Sequence, residues 1–221
     1  MSDSILVSDF DGTVTGEDFF QLVVNNLLTP ADMQPWDEYL EGKITHFEAL
    51  QRIFGKVRAP ESEVEALLDD MRPDPRMPGC LAALRASGWE VVLASNGCEW
   101  YIRRILDRLG VKVELHANPG TYLEGGPLDM RAPTGSQFYS PDTGISKAAL
   151  VRFHLERSAR VAFAGDGYTE LEPALLVPPD LRFARAALAA ALRSPGESVQ
   201  AFPAWCDMPR KLLFGNGNAA G

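Results

Sequence analysis

The chain is poor in the features of a disulfide scaffold, a zinc protein or a membrane span. It has three cysteines, Cys80, Cys98 and Cys206, an odd number with no C-x-x-C pair. That argues against a disulfide framework or a zinc cluster and for a reducing compartment, so a cytoplasmic location is expected. The N-terminus has no basic region leading into an apolar run and a cleavage site, so no signal peptide is expected. No apolar stretch approaches the ~18 residues that a membrane-spanning helix needs. Positive charge is also short: 21 Lys and Arg stand against 30 Asp and Glu, a net charge of −9. No nucleic acid and no membrane surface is expected as a general partner, although a local positive site for a small anion fits that balance. There is no G-x-S-x-G elbow and no internal repeat. The three histidines, His46, His116 and His154, fall outside the loops that carry the polar motifs described next.

What is present suits a soluble α/β protein. At 46% hydrophobic and 23% charged over 221 residues, the chain can bury a sizeable core as one large domain or as a core with a smaller unit. Ser4 to Thr15 reads SILVSDFDGTVT. The run Ile5-Leu6-Val7 predicts a buried strand, and Asp9, Asp11 and Thr13 follow it beside Gly12. Two aspartates one residue apart on a strand point the same way. Two carboxylates this close repel each other unless a cation or a proton compensates them, and their hard oxygens suit Mg²⁺.

Residues 17–76 contain no convincing strand. Asp18 is placed to cap a helix through Phe19 and Leu27. Trp36–Leu40 and Thr45–Phe54 read as further helices, as does Ser62–Met71 with Ser62 as its cap. Strand and helix alternation then resumes: a helix over Cys80–Ala86, a strand over Trp89–Ala94, a loop at Ser95-Asn96-Gly97, a helix over Glu99–Leu109 and a strand over Val111–Ala117. Residues 118–145 are rich in Gly, Pro, Ser and Thr and read as a long loop or hairpin. A helix from Ser146 carries Lys147 near its start, and a strand over Ala159–Ala164 runs into Gly165-Asp166-Gly167. A helix over Leu171–Val177, a short strand at Leu181–Ala184 and a helix over Arg185–Leu192 come next. Val199–Phe202 and Met208–Phe214 read as a last strand and helix, and Gly215–Gly221 as a disordered tail. This alternation predicts a Rossmann-like parallel sheet (residues 1–16 and 77–214) with a small helical cap (17–76) inserted after the first strand.

The polar groups gather where ligands bind in such sheets, at the carboxyl ends of the strands. Asp9, Asp11 and Asp166 supply carboxylates, Ser95 and Asn96 polar groups beside a helix start, and Lys147 a positive charge. A divalent cation, a lysine and helix-start donors make a phosphate site. A carboxylate can attack phosphorus, and a second can protonate the leaving oxygen and then activate water.

DFDGT at Asp9–Thr13, Ser95, Lys147 and GDGYTE at Gly165–Glu170 together resemble the four motifs of the haloacid dehalogenase superfamily, in order. The resemblance implies Asp9 as nucleophile and Asp11 as general acid/base. It gives Ser95 and Lys147, with Asn96 beside them, to the phosphoryl group. Mg²⁺ would be held by Asp9, Asp166 and the Asp11 carbonyl. Glu170 stands where Asp is common, and either reaches the metal or braces Lys147. The helical insertion resembles the cap of the phosphoserine phosphatase-like branch. DFDGTVTGED, the RIFG at Arg52–Gly55 and FARAALAAALRSPGESVQAF narrow the likeness to methionine-salvage phosphatases, some of which carry a cysteine-rich loop that 118–145 lacks. Asp18 is either a helix cap or a substrate contact, and Arg52 either a substrate contact or an exposed charge. The expected partner is a small phosphorylated metabolite. Phosphoserine and phosphocholine- or phosphoethanolamine-like esters are alternatives, as is an idle phosphate-binding module. A homodimer is left open.

Overall fold

The structure, a computed structural model, describes residues 4–214; the tail expected at Gly215–Gly221 lies outside them. The elements in chain order are β1 (Ser4–Ser8), α1 (Phe19–Leu27), α2 (Gln34–Leu40), α3 (His46–Phe54), α4 (Glu61–Asp70), α5 (Met77–Ala86), β2 (Trp89–Cys98), α6 (Glu99–Arg108) and β3 (Glu114–Asn118). Two hairpins follow, β4 (Gly120–Tyr122) with β5 (Leu128–Met130) and β6 (Tyr139–Ser140) with β7 (Gly144–Ile145). The chain continues with α7 (Lys147–Leu155), β8 (Arg160–Gly165), α8 (Leu171–Leu176), β9 (Arg182–Ala184), α9 (Ala186–Arg193), β10 (Gln200–Ala201) and α10 (Met208–Phe214).

Six strands form one parallel sheet in the order β10-β9-β8-β1-β2-β3. β1 lies at its centre, with Val7 opposite Val92 on one side and Phe163 on the other. Successive side chains of a strand face opposite layers. Ile5 and Val7 enter one core with Val92, Val161 and Phe163, covered by Leu150 of α7 and Leu188 of α9. Leu6 enters the other with Val91, Leu93 and Ala162, covered by α5, α6 and the helices of 19–70. Both faces are therefore buried, which is why β1 reads as a continuous apolar run and not as an alternating one.

The helices between β1 and β2 are set by local signals. The Asp18 carboxylate accepts from Gln21 N–H at 3.1 Å, and Thr45 and Glu48 form a reciprocal capping box at the start of α3. Several expected boundaries move. α4 starts at Glu61 behind Pro60, so Ser62 lies inside the first turn and caps nothing. α5 starts at Met77, because Pro78 sits in the first turn, where its missing N–H is no loss. β2 runs on to Cys98 through a register shift between Ala94 and Cys98, so Ser95–Gly97 are extended backbone and not a free loop. β3 begins only at Glu114. Among the described residues, no helix is long and apolar enough to cross a membrane.

Candidate active site

The carboxyl ends of β1, β2 and β8 and the start of α7 meet under the helices of 19–70 around a cavity of about 180 Å³. Asp9 is the first residue past β1. Its N–H donates to the Ala164 carbonyl (2.9 Å), and its Oδ1 accepts from Phe10 N–H (2.7 Å) and from Lys147 Nζ (2.7 Å). Behind it, Trp205 Nε1 donates to Ser8 Oγ, which donates to the Asp9 carbonyl. The C-terminal segment thus props the backbone that aims Asp9. Asp9 and Asp11 both lie beyond β1, so strand alternation does not set their directions. A turn does, and it needs Gly12: φ is +64°, and a Cβ there would stand 2.4 Å from an Asp166 oxygen.

Asp11 Oδ2 accepts from Tyr101 OH (2.7 Å) and Ser95 Oγ (3.0 Å). Burial, followed by the charge of Asp18, pushes its carboxyl up to about 7, although both hydroxyls favour the ionised form. It can therefore give or take a proton near neutral pH. Lys147, the first residue of α7, is fixed by the Ser146 cap and bridges Asp9 and Glu170 at 2.7 Å each. Burial opposes its charge, but those two carboxylates hold the ammonium above the ordinary lysine range. Burial likewise opposes the Glu170 charge, yet Lys147 and Thr169 hold it below the usual value. Asp166 accepts from Thr13 Oγ1 at 2.9 Å and is pushed up to about 6 by burial and by Glu170. Burial also raises Asp9 well above the usual range, even beside Lys147.

One oxygen each of Asp9, Asp166 and Glu170 lies within 4.8 Å of the others. Three such carboxylates beside a single ammonium carry uncompensated negative charge in a desolvated place, and the raised proton affinities of Asp9 and Asp166 express that strain. A hard, all-oxygen donor set of this size fits a divalent cation such as Mg²⁺. Glu170 braces Lys147 with Oε1 and also stands in the acidic cluster.

Not every expected residue arrives as expected. Asn96 lines the cavity, but its side-chain NH2 donates to the Thr143 and Ile145 carbonyls, which ties β2 to the β6–β7 hairpin. Ser95 borders the cavity, but its hydroxyl serves Asp11 and accepts from Gly97 N–H, and α6 begins only at Glu99. Asp18 borders the cavity as well as capping α1. Arg52 does not reach the cavity: it is exposed and pairs with Glu38 at 3.0 Å, because its place on α3 turns it to solvent. Tyr101 and His46 line the site without having been singled out. Tyr101 reads in sequence as one more apolar position of α6, and nothing local marks its hydroxyl as a partner of Asp11. Cys98 is fully buried and its thiol is pushed up to about 12 by burial, which fits a packing role.

A profile of the haloacid dehalogenase-like hydrolases matches residues 6–171. A 2-hydroxy-3-keto-5-methylthiopentenyl-1-phosphate phosphatase of Bacillus velezensis is 24% identical over 186 residues, covering 82% of this chain and 77% of the relative. Among solved structures, a HAD family hydrolase of Salmonella enterica serovar Typhi superposes with a TM-score of 0.72 at 16% identity, over 98% of this chain and 72% of the other. A phosphoserine phosphatase of T. onnurineus gives 0.65 at 17% identity, over 98% and 96%. At these identities the two structures speak for the fold alone.

Proposed function

The chain belongs to the haloacid dehalogenase-like hydrolase family and is a phosphoric monoester hydrolase; from that premise we propose that it is a Mg²⁺-dependent phosphatase working through an aspartyl-phosphate on Asp9. The observation that carries this reading is the convergence of Asp9, Lys147, Asp166 and Glu170 in one buried cluster beside Asp11. Asp9, Asp166, the Asp11 carbonyl and Glu170 would hold Mg²⁺, which supplies charge neutralisation between nucleophile and phosphate. A carboxylate oxygen of Asp9 attacks phosphorus. The bond to the alcohol oxygen breaks, and Asp11 gives that oxygen its proton. Water then attacks the phosphorus and Asp11 takes the proton back. The bond to Asp9 breaks and inorganic phosphate leaves. Lys147 neutralises charge on Asp9 and the phosphoryl oxygens throughout.

The cavity lies below the ~300–1,000 Å³ of drug-sized pockets, which favours a small metabolite over a phosphoprotein. Residues 17–76 act as a cap that excludes water from the acyl phosphate. Phe20, Trp36 and Phe54 on that side of the cavity suit an apolar tail such as a methylthio group. This supports the substrate named for the Bacillus relative, the methionine-salvage ester, over phosphoserine: among the described residues, Lys147 is the single cationic side chain lining the cavity, so no cation on the cap side would pair with a carboxylate. The free thiols Cys80, Cys98 and Cys206 suit a cytoplasmic setting.

The test is phosphate release from a panel of phosphorylated metabolites with and without chelator. EDTA should lower turnover at least tenfold and added Mg²⁺ restore it; indifference to chelation would refute the metal role. A second result concerns Asp11. Its folded proton affinity lies above the unfolded value, so the folded state holds a proton that the unfolded chain has released between roughly pH 4 and 7. Stability in metal-free buffer should therefore fall as pH rises through that window. Asp11→Asn should make the fall shallower, Asp9 and Asp166 still contributing, while kcat drops by about 10²–10⁴. Melting curves across pH 4–8 with an unaltered slope would contradict the assignment.

A further inference from the structure

We propose that His46 is a specificity-determining residue, the cap side chain that reads an uncharged, oxygen-bearing leaving group on the phosphate ester. This rests on the phosphatase reading above and extends it to what is esterified.

His46, the first residue of α3, lines the same cavity as Asp9. Its Nδ1 is buried without a hydrogen-bond partner. A buried polar atom left unpaired costs free energy and is rare in folded proteins unless something else supplies the partner. The ring is held firmly. It is the first residue of α3 after the Thr45–Glu48 capping box, and the next amide, Phe47 N–H, donates to the Asp142 carbonyl at 2.8 Å. Trp36 and Tyr39 meet the ring edge-on, with centroids 5.9 and 5.3 Å away. Burial, with Lys147 nearby, lowers its proton affinity to about 4, so it is a neutral imidazole at physiological pH. A neutral ring offers one donor and one acceptor, suited to a carbonyl or hydroxyl and not to a carboxylate.

The rest of the wall agrees. Phe20, Trp36, Leu50 and Phe54 are apolar, and Asp18 is acidic. An anionic leaving group would meet Asp18 with no cation to offset it, since Lys147 is bound to Asp9 and Glu170. The cavity thus has a charged floor for phosphate and a largely apolar wall, on which Gln21 is also polar but His46 Nδ1 is the buried atom without a partner.

The experiment compares phosphate release from butyl phosphate and 2-oxobutyl phosphate, which differ by one carbonyl, in wild-type protein and in His46→Phe with Mg²⁺. Losing one hydrogen bond to substrate changes discrimination by roughly tenfold. The ratio of kcat/KM values for the two esters should therefore fall about tenfold in the variant, mainly through KM, with partial recovery in His46→Gln. A purely structural role would slow both esters alike, so a ratio falling less than threefold overturns the proposal. Wild-type protein should also prefer 2-oxobutyl phosphate to phosphoserine and to phosphocholine at least tenfold; a preference for either charged ester overturns it without any variant, even if His46→Phe does not fold. If these esters and p-nitrophenyl phosphate all release no phosphate, the phosphatase reading itself fails, and this proposal with it. Turnover of p-nitrophenyl phosphate with the wrong preference sinks the proposal alone.

Discussion

Asp9→Asn is expected to reduce phosphate release by about 10⁴–10⁶-fold while the fold persists. An amide is nearly isosteric with the carboxylate and can still accept from Phe10 N–H, so the turn after β1 has no reason to move. What disappears is the anionic oxygen that forms the new bond to phosphorus. Stability should not suffer. Burial already drives the Asp9 carboxyl well above the usual range, so removing its charge relieves desolvation and repulsion from Glu170 and Asp166. The ion pair lost with Lys147 is partly offset because Glu170 keeps the ammonium paired. Activity is read by phosphate release and fold by the melting temperature. Asp9→Ala made in parallel guards against recovery by deamidation. Turnover within tenfold of wild type in both variants would end the nucleophile assignment.

Lys147→Met is expected to damage both stability and turnover, and in a pH-dependent way. Lys147 is 5% exposed, and its ammonium is the shared partner of two carboxylates that are also deeply buried. Methionine keeps the length of the stem and removes the charge, leaving Asp9 and Glu170 facing each other. Breaking a buried pair by removing one partner costs about 3–5 kcal/mol, which for a chain of this size lowers the melting temperature by roughly 6–20 °C. The sign with pH follows from the acids. Without the lysine the Asp9 proton affinity, already above the unfolded value, rises further, and Glu170 loses the partner that holds its own down. The penalty is then absent where both states are protonated, near pH 4, and grows as pH rises toward 8. Melting in chelator at the two pH values tests this; an equal loss at both would mean that Lys147 packs and does not neutralise. Turnover should fall by roughly 10²–10³-fold, since a preorganised charge beside the transferring group is lost.

Much of this was legible in the chain itself. The strand before Asp9 is announced by Ile5-Leu6-Val7, the start of α7 by Ser146 ahead of Lys147, and the helical character of 17–76 by apolar spacing and caps. Those signals are local, so sequence carries them. The boundaries that shifted did so where a local signal competed with another. The helix expected from Cys80 starts at Met77, because Pro78 ahead of it serves as a first-turn residue. Ser62 was read as a cap but follows a proline that had already set the turn. The segment 118–145, read as loop or hairpin, folds as two hairpins held by bonds from Asn96 to Ile145, Asn118 to Thr143 and Gln51 of α3 to Met130, which no local pattern encodes.

The site divides in the same way. Asp9, Asp11, Lys147, Asp166 and Glu170 sit at the ends or starts of elements, where type and position alone suggest a role. Asn96 and Arg52 show the limit. Each has suitable chemistry, but hydrogen bonds to the hairpin carbonyls hold one and the exposed face of α3 turns the other to solvent. Tyr101 and His46 show the converse: the Tyr101 hydroxyl meets Asp11, 90 residues away in the chain, and His46 joins the cavity lining only once α3 packs beside the strand ends. Sequence by itself determined the sheet, the inserted helices and the residues able to do the chemistry, because strand periodicity, caps and motif spacing are properties of neighbours along the chain. Tertiary structure alone decided which oxygen pairs with Lys147, which hydroxyls hold Asp11 and which residues of 17–76 line the cavity. Those depend on distances across the sheet and between helices, fixed only once the core has packed.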